Sequence, residues 1–545
     1  MKSTKIFLAA LLSSAIATSC IEEAHHDSYL GADRRDEIAT ADPDKVFAST
    51  EQSIYLYMQQ HVYQNSSHNW FGQKSFDYLT SLMGNDMVLT GKFAMSYYHY
   101  MLDYGTSGTY ISTYNRFNEY YDHIAIANEI LGSLDKESTD PNLLRYRAVA
   151  LTERGYAYWQ LTNLYQRAYY VGADDTKWGK GKVYDWSQYT CVPLVTEELT
   201  GDQPLSSLDQ IYEQLLGDLE EAYEIFEKIG KIHTPSPTDF DGCVAATYLY
   251  RAYMVKHEWD NAIKYAQVVM DNIPILTSES DLTQGFSLIT LPDVVLGCDI
   301  TTDNTTVYMS FFSQMDSYGD GYAGIGVWRA GFKPFVDRIA DNDVRLQWFS
   351  NHARSADNLL RDTDVPADVP YQAVKFIGAG RDAIKALPSG ERSADGWNLG
   401  DYIYLRSEEA WFTKAEALAH KGDLSGARGV LADVLKDRIP GYVCLANTKA
   451  DVIEEINFQK RVEFWGEGIE YIDNRRLNIP IDRLDATWGA ANNNHYVDGK
   501  IRVEQEANRM VYYIPTGEVE ANTMIEFGDQ QVVVGGDSGE GGSEE

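Results

Sequence analysis

Positive charge is scarce in this chain: 46 lysines and arginines stand against 81 aspartates and glutamates, a formal charge of −35 over 545 residues. Such a surface repels a phosphate backbone instead of neutralising it, which excludes nucleic acid as a partner and disfavours anionic polysaccharide as a ligand. Long apolar runs are missing too. Apart from a short stretch at the start, nothing approaches the roughly 20 apolar residues that a membrane-spanning helix needs. Cysteine is rare, at five residues. Cys191, Cys243, Cys298 and Cys444 lie too far apart in sequence for a zinc knuckle or a C-x-x-C redox pair. They read as isolated buried thiols, although export would permit disulfides.

Catalytic patterns are equally sparse. A zinc-peptidase helix needs H-E-x-x-H, and the nearest approach, "HEWDN", has Asn261 at the second ligand position. "DSYGDGYAGIGV" begins like a calcium loop, but Tyr318 replaces an acidic ligand and Val327 stands where the closing glutamate belongs. Gly324 and Gly326 lack the third glycine of a dinucleotide fingerprint, and neither G-x-S-x-G nor a Walker sequence occurs. Paired carboxylates for glycoside hydrolysis are uninformative here, since so many acids guarantee pairs somewhere in space. The expectation is a binding protein with no cofactor, no metal ion and no enzymatic activity.

What the chain does contain begins at residue 1. Lys2 and Lys5 precede an apolar stretch from Ile6 to Ala17, followed by Thr18, Ser19 and then Cys20. The stretch is too short to span a bilayer and fits a cleaved export signal. A cysteine immediately after the small residues resembles a bacterial lipobox, although Ala17 occupies the place where leucine is the commoner choice. Cys20 is thereby read as a lipidated tether, stable because several acyl chains exceed the two-signal threshold for anchoring. Residues 1–19 are then a removed signal peptide and 20–41 a polar, flexible stalk. Residues 535–545, "GGDSGEGGSEE", cannot bury a core and read as a disordered acidic tail.

Between these ends, over 42–534, helical periodicity dominates and two segments look like versions of one unit. An offset of 165 superposes Tyr253 on Leu418, Trp259 on Leu424 and Ala262 on Ala427, the large and small positions of a tetratricopeptide repeat. Repeat-like helices are therefore predicted within 207–271 and 408–437, with further helices over 114–131 and 143–166. Residues 172–206 and 277–400 are instead rich in glycine, proline, aspartate and short β-like runs, and read as long excursions from a helical scaffold.

The most specific stretch is "INFQKRVEFWGEGIEYIDNRRLNIP", residues 456–480. Phe458, Val462, Trp465, Ile469 and Ile472 recur at helical spacing, leaving Arg461, Glu463, Glu470 and Asp473 to flank an apolar stripe in ion pairs. With "RGYAYWQLTNLY", "VPLVTEEL", "IAIAN", "DNDVR" and "IPTGEVEAN", the chain resembles the SusD/RagB family of Bacteroidetes surface lipoproteins. The resemblance implies one mainly α domain with a tetratricopeptide-repeat scaffold, long loop-rich excursions and a few short strands. It also implies a cell-surface role: capture of oligosaccharides or polysaccharides and delivery to a SusC-like TonB-dependent outer-membrane transporter. A peptide-binding RagB-like member and, further off, a surface hydrolase are the alternatives. Glu22 and Glu23, directly behind Cys20, resemble the acidic signal that sends such lipoproteins to the outer face of the outer membrane. Residues 168–190 form an insertion where the family has a short link.

A sugar ring offers an apolar C–H face and a belt of hydroxyls, so a glycan site needs flat aromatic platforms beside planar polar groups. Among 38 tyrosines, two glycine-bounded stretches concentrate such residues, "SYYHYMLDYGTSGTY" and "MDSYGDGYAGIGVWRAG". The candidate platforms are Trp328, Tyr322, Tyr318, Tyr104 and Tyr98, with Trp70 and Trp397 as further candidates in loop surroundings. Tyr97 and Tyr100, spaced three apart, are expected to pack a helix instead.

Overall fold

A computed structural model describes residues 43–59, 69–92, 96–103, 111–172, 176–178, 182–303, 309–317, 321–323, 327–350, 369–380, 386 and 398–526. Cys20, the stalk and the acidic tail lie outside the described residues. Residues 43–49 open the helix Pro43–Gln59. From Thr50 onward the chain forms one unit.

Its scaffold is a row of helices, Ile111–Ser133, Pro141–Tyr165, Leu208–Lys228, Gly242–Val255 and Trp259–Asn272, each packed on the next. The row continues through Glu408–His420 and Leu424–Leu435, although more than a hundred residues of chain separate them from Asn272. Local sequence sets the helix starts. Asp140 accepts from the Asn142 amide ahead of Pro141, and Ser207 with Gln210 closes a reciprocal capping box. Asp241 and Asp423 cap two more helices in the same way. Both repeat-like segments fold as helix pairs, with Ala262, Ala266, Ala415 and Ala427 fully buried where the paired helices approach.

The excursion between Asn272 and Glu408 supplies five of the twelve strands among the described residues. Met87–Leu89, Arg329–Gly331, Gln372–Ala373 and Phe349–Ser350 form, in that spatial order, a four-stranded sheet. Val294–Cys298 pairs antiparallel with Tyr402–Arg406. Within the insertion, Tyr170–Val171 pairs with Tyr184–Asp185, and the Gly172 amide donates to the Arg476 carbonyl at 2.8 Å. The four cysteines downstream of Cys20 are unbridged.

The motif at 456–480 departs from its predicted single stripe. It is two helices, Lys449–Glu463 and Ile469–Leu477, broken at a turn where Gly466 and Gly468 both sit at φ 82°. A Cβ at Gly468 would also come within 3.0 Å of the Asp77 backbone. Most of its charges pair with distant partners and not along a helix face, because they are buried and an isolated buried charge is strongly unfavourable. Glu463 accepts from Arg345 at 3.3 Å, Arg406 at 3.2 Å and Arg438 at 3.2 Å, all four side chains being fully buried. Arg461 reaches Asp86, and Glu470 accepts from the Asn85 and Asp86 amides. Arg476 holds both Glu416 and Asp473. Lys375, from the excursion, donates to the Glu463 carbonyl at 2.7 Å and to Glu467 at 2.5 Å. Burial favours the neutral acid at Glu467, but the adjacent Arg406 and Lys375 cations outweigh it and hold the carboxyl down at about 2. This network locks the excursion onto the helical row.

Candidate ligand-binding site

The strand pair Met87–Leu89 and Arg329–Gly331 carries one of the predicted platforms, Trp328, to its end. It is in register from Met87 opposite Gly331 to Leu89 opposite Arg329. One step further, the Thr90 amide and hydroxyl both donate to the Trp328 carbonyl, at 3.3 and 3.1 Å. Trp328 therefore sits beside Thr90 at the end of the ladder, half-buried. Lys92 and the short helix Ser96–Tyr100 lie just beyond Thr90 in the chain. On that helix Tyr98 is 53% exposed, whereas Tyr97 and Tyr100 are buried, as their spacing requires.

A buried polar chain fixes the two halves together. The Arg329 guanidinium donates to the Tyr78 hydroxyl at 3.0 Å, to Gln314 at 2.5 Å and to the Val327 carbonyl. The Tyr78 hydroxyl donates to Ser96 at 3.1 Å, and Ser96 donates to Asn69 at 3.1 Å. Arg329, Tyr78 and Ser96 are completely buried. The segment bearing Trp328 and the helix bearing Tyr98 are thus set by one interior network, which is how a binding group is held rigid by the side chains behind it.

A third segment completes the edge, and sequence reasoning missed it. Tyr496, Val497 and Asp498 arrive from nearly 400 residues downstream. The Tyr97 hydroxyl donates to Asp498, Lys92 bridges to Asp498 at 2.9 Å, and Lys92 also lies 5.0 Å over the Tyr97 ring. Tyr97 meets Tyr98 and Tyr496 edge-to-face at 6.0 and 6.4 Å. Hydrogen bonds from Tyr97 and Lys92 hold the Asp498 carboxyl below the usual range, so it stays ionised and accepting. Behind them the Tyr100 hydroxyl meets His495 Nδ1 at 2.6 Å, and a Cβ at Gly499 would fall 2.0 Å from the Tyr100 ring. Only glycine fits there. Val497 is 67% exposed beside them in sequence. No local pattern around residue 497 marks it as part of a site.

Two of the predicted platforms are core residues. Trp70 is 3% exposed and packs edge-on against Phe76 at 6.1 Å, because its segment enters the interior as the helix Gln73–Leu82 begins. Tyr322 is 6% exposed, since residues 321–323 fold back onto Ser313, whose carbonyl accepts from the Ala323 amide at 2.9 Å. Neither presents a ring face. Tyr104, Tyr318 and Trp397 lie outside the described residues.

Among the described residues no group of histidine, cysteine, aspartate and glutamate could hold a metal ion, and no helix is long and apolar enough to cross a membrane. A groove of about 550 Å³ runs beside the helices Pro141–Tyr165 and Leu208–Lys228. It is lined by no aromatic ring, and its arginines are already committed, Arg147 to Glu221 and Arg154 to Asp218. It lacks the exposed ring that Tyr98 presents.

Residues 40–254 match a family model described as "Starch-binding associating with outer membrane", and residues 384–528 match the model of the SusD family. The chain belongs to the SusD/RagB family. Solved structures share its fold. A SusD-like carbohydrate binding protein from Bacteroides vulgatus superposes with a TM-score of 0.70 at 21% identity, over 88% of this chain and 96% of its own. A SusD superfamily protein from Bacteroides thetaiotaomicron gives 0.66 at 18% identity, over 88% and 98%. Surface glycan-binding protein A from Bacteroides thetaiotaomicron, solved with laminarihexaose, gives 0.62 at 16% identity, again over 88% and 98%. No curated protein matches the chain. The SusD/RagB motif at 456–480 is the buried charge network described above and has no part in the aromatic edge.

Proposed function

We propose that the protein is a surface lipoprotein that captures oligosaccharides or polysaccharides and passes them to a SusC-like TonB-dependent outer-membrane transporter, without chemical conversion. The observation that carries this reading is the half-buried Trp328 beside Thr90 at the end of a strand pair, with the exposed Tyr98 on the helix that follows in the chain, next to the cluster of Tyr97, Lys92 and an ionised Asp498. Half-exposed rings give a sugar's C–H face something flat to stack on, and the neighbouring carboxylate and ammonium are an acceptor and a donor for its hydroxyls. The chain's strong negative charge favours a neutral glycan over an anionic one. The family model's description and a same-fold relative bound to laminarihexaose support a glycan.

Incubation of the purified protein with neutral glycan and peptide libraries, scored for retention and for cleavage, tests the reading. Retention of glycans without cleavage is expected. Retention of peptides alone would move the ligand class, and cleavage would make the protein a hydrolase. Lipidation is tested separately: C20A should leave the membrane fraction and remain folded, since the described core begins well downstream. Persistence of that variant in the outer membrane would refute the tether.

A further inference from the structure

The insertion at 168–190 contributes to a second cleft, at the opposite end of the strand Met87–Leu89 from Trp328. This cleft has a volume of about 290 Å³, near the lower limit of small-molecule sites. Trp178, from the insertion, lines one part of it and is half-buried against the apolar cluster that includes Val452, Ile453 and Ile456. Trp488, 39% exposed, lines another part, held by its indole N–H donating to the Asp482 carbonyl at 3.0 Å and by an edge contact with Phe332 at 5.3 Å. Pro334 and Pro480 add further apolar lining.

The polar groups of the cleft divide into two kinds. Its charges are already matched: Glu454 with Lys177 at 2.7 Å, Arg461 with Asp86 at 2.6 Å, and Asp482 with Arg502. A ligand therefore need not bring charge. Asn457 is different. It lines the cleft and is only 1% exposed, yet neither its carboxamide oxygen nor its nitrogen finds a partner among the described residues. A buried carboxamide with both ends unpaired calls for a ligand that both donates and accepts within a short span. Adjacent hydroxyls of a sugar ring do this, and the same ring offers a C–H face to an indole.

We infer that this cleft is a second binding site, for a short neutral saccharide, with Trp178 and Trp488 as ring platforms and Asn457 as the hydroxyl-reading group. A row of touching rings joins it to the strand edge: Tyr100 to His495 at 5.8 Å, His495 to Phe332 at 4.6 Å, then Phe332 to Trp488. The two sites bracket one rigid element, so a long glycan could engage both, the second contact forming at high effective concentration. This inference stands on the cleft's own residues and does not require that the edge at Trp328 bind sugar.

The experiment titrates maltohexaose and laminarihexaose into the wild type, W488A, N457L and the double variant Y98A/W328A, with a melting curve for each. The double variant should retain binding of one of these hexasaccharides. W488A should weaken the binding that survives in that double variant by at least tenfold, with little change in melting temperature. N457L should abolish the same binding and raise the melting temperature, because it removes an unpaired buried amide; a merely structural asparagine would lower it. If the edge reading fails and the cleft reading holds, Y98A/W328A matches the wild type and W488A still loses affinity. Unchanged titrations in both W488A and N457L, or a cleft left empty in crystals soaked with both sugars, overturn the inference.

Discussion

The turn at Phe464–Gly468 and the edge at Trp328 are both dense in polar and aromatic side chains, yet they are built on opposite principles. At the turn, Glu463 lies in the dry interior facing three arginines, and every charge nearby has a fixed partner. At the edge, Tyr98 and Trp328 keep ring surface open to solvent, while the fully buried network of Arg329, Tyr78 and Ser96 stands behind them. The first arrangement spends its polar groups on holding the excursion to the helices. The second keeps ring surface open beside an ammonium and a carboxylate that pair with each other at the solvent edge. The lesson is that the sequence motif most typical of the family marks the clamp, and the proposed binding surface is assembled from residues with no motif at all.

The largest effect is expected at Glu463. E463Q leaves three buried guanidinium groups short of a counter-charge and should cost about 3–5 kcal/mol of stability, read by chemical denaturation. Any variant that still folds should bind glycan as the wild type does. A small stability change would mean that the network is not the clamp.

Acid probes the same region. The Glu467 carboxyl is depressed from 4.5 to about 2 in the folded state. A depressed acid stabilises the fold fully above its unfolded value, and that contribution is lost as pH falls through the folded one. The melting temperature should therefore decline as pH drops from about 4.5 toward 2, and E467Q should flatten that limb.

At the edge, W328A removes a platform and should weaken glycan binding tenfold to a hundredfold, on the order of 1–3 kcal/mol by analogy with base–aromatic stacking. Core truncation of a tryptophan costs instead about 3–5 kcal/mol of folding energy. Calorimetric binding with a melting curve separates the two, and a large fall in melting temperature would return Trp328 to the core. Y98A is the mildest case. Its ring is more exposed, so affinity should drop less than in W328A and the melting temperature should not move.

The helical row was legible because its helices carry their own evidence, in apolar periodicity and in alanines at close contacts such as Ala262 and Ala427; the caps at Asp140 and Ser207 are seen only in the structure. The break at Gly466 and Gly468 was not, since the apolar spacing runs straight through it and only the left-handed turn reveals two helices. At the edge, Trp328 and Tyr98 were legible as rings beside glycine or in a tyrosine run. Trp70 and Tyr322 carried the same signature but are core residues, because local sequence does not say which way a loop turns. Tyr496 and Asp498 were invisible, as their place depends on long-range packing alone.

Rings at the end of the Met87–Leu89 strand are proposed to meet sugar. A crystal structure grown with the tightest-binding neutral oligosaccharide from the library tests it most directly. A sugar ring is expected to stack on Trp328 or Tyr98, with a hydroxyl within hydrogen-bond distance of Asp498 or Lys92. Bound sugar elsewhere on the molecule with both rings bare would contradict it.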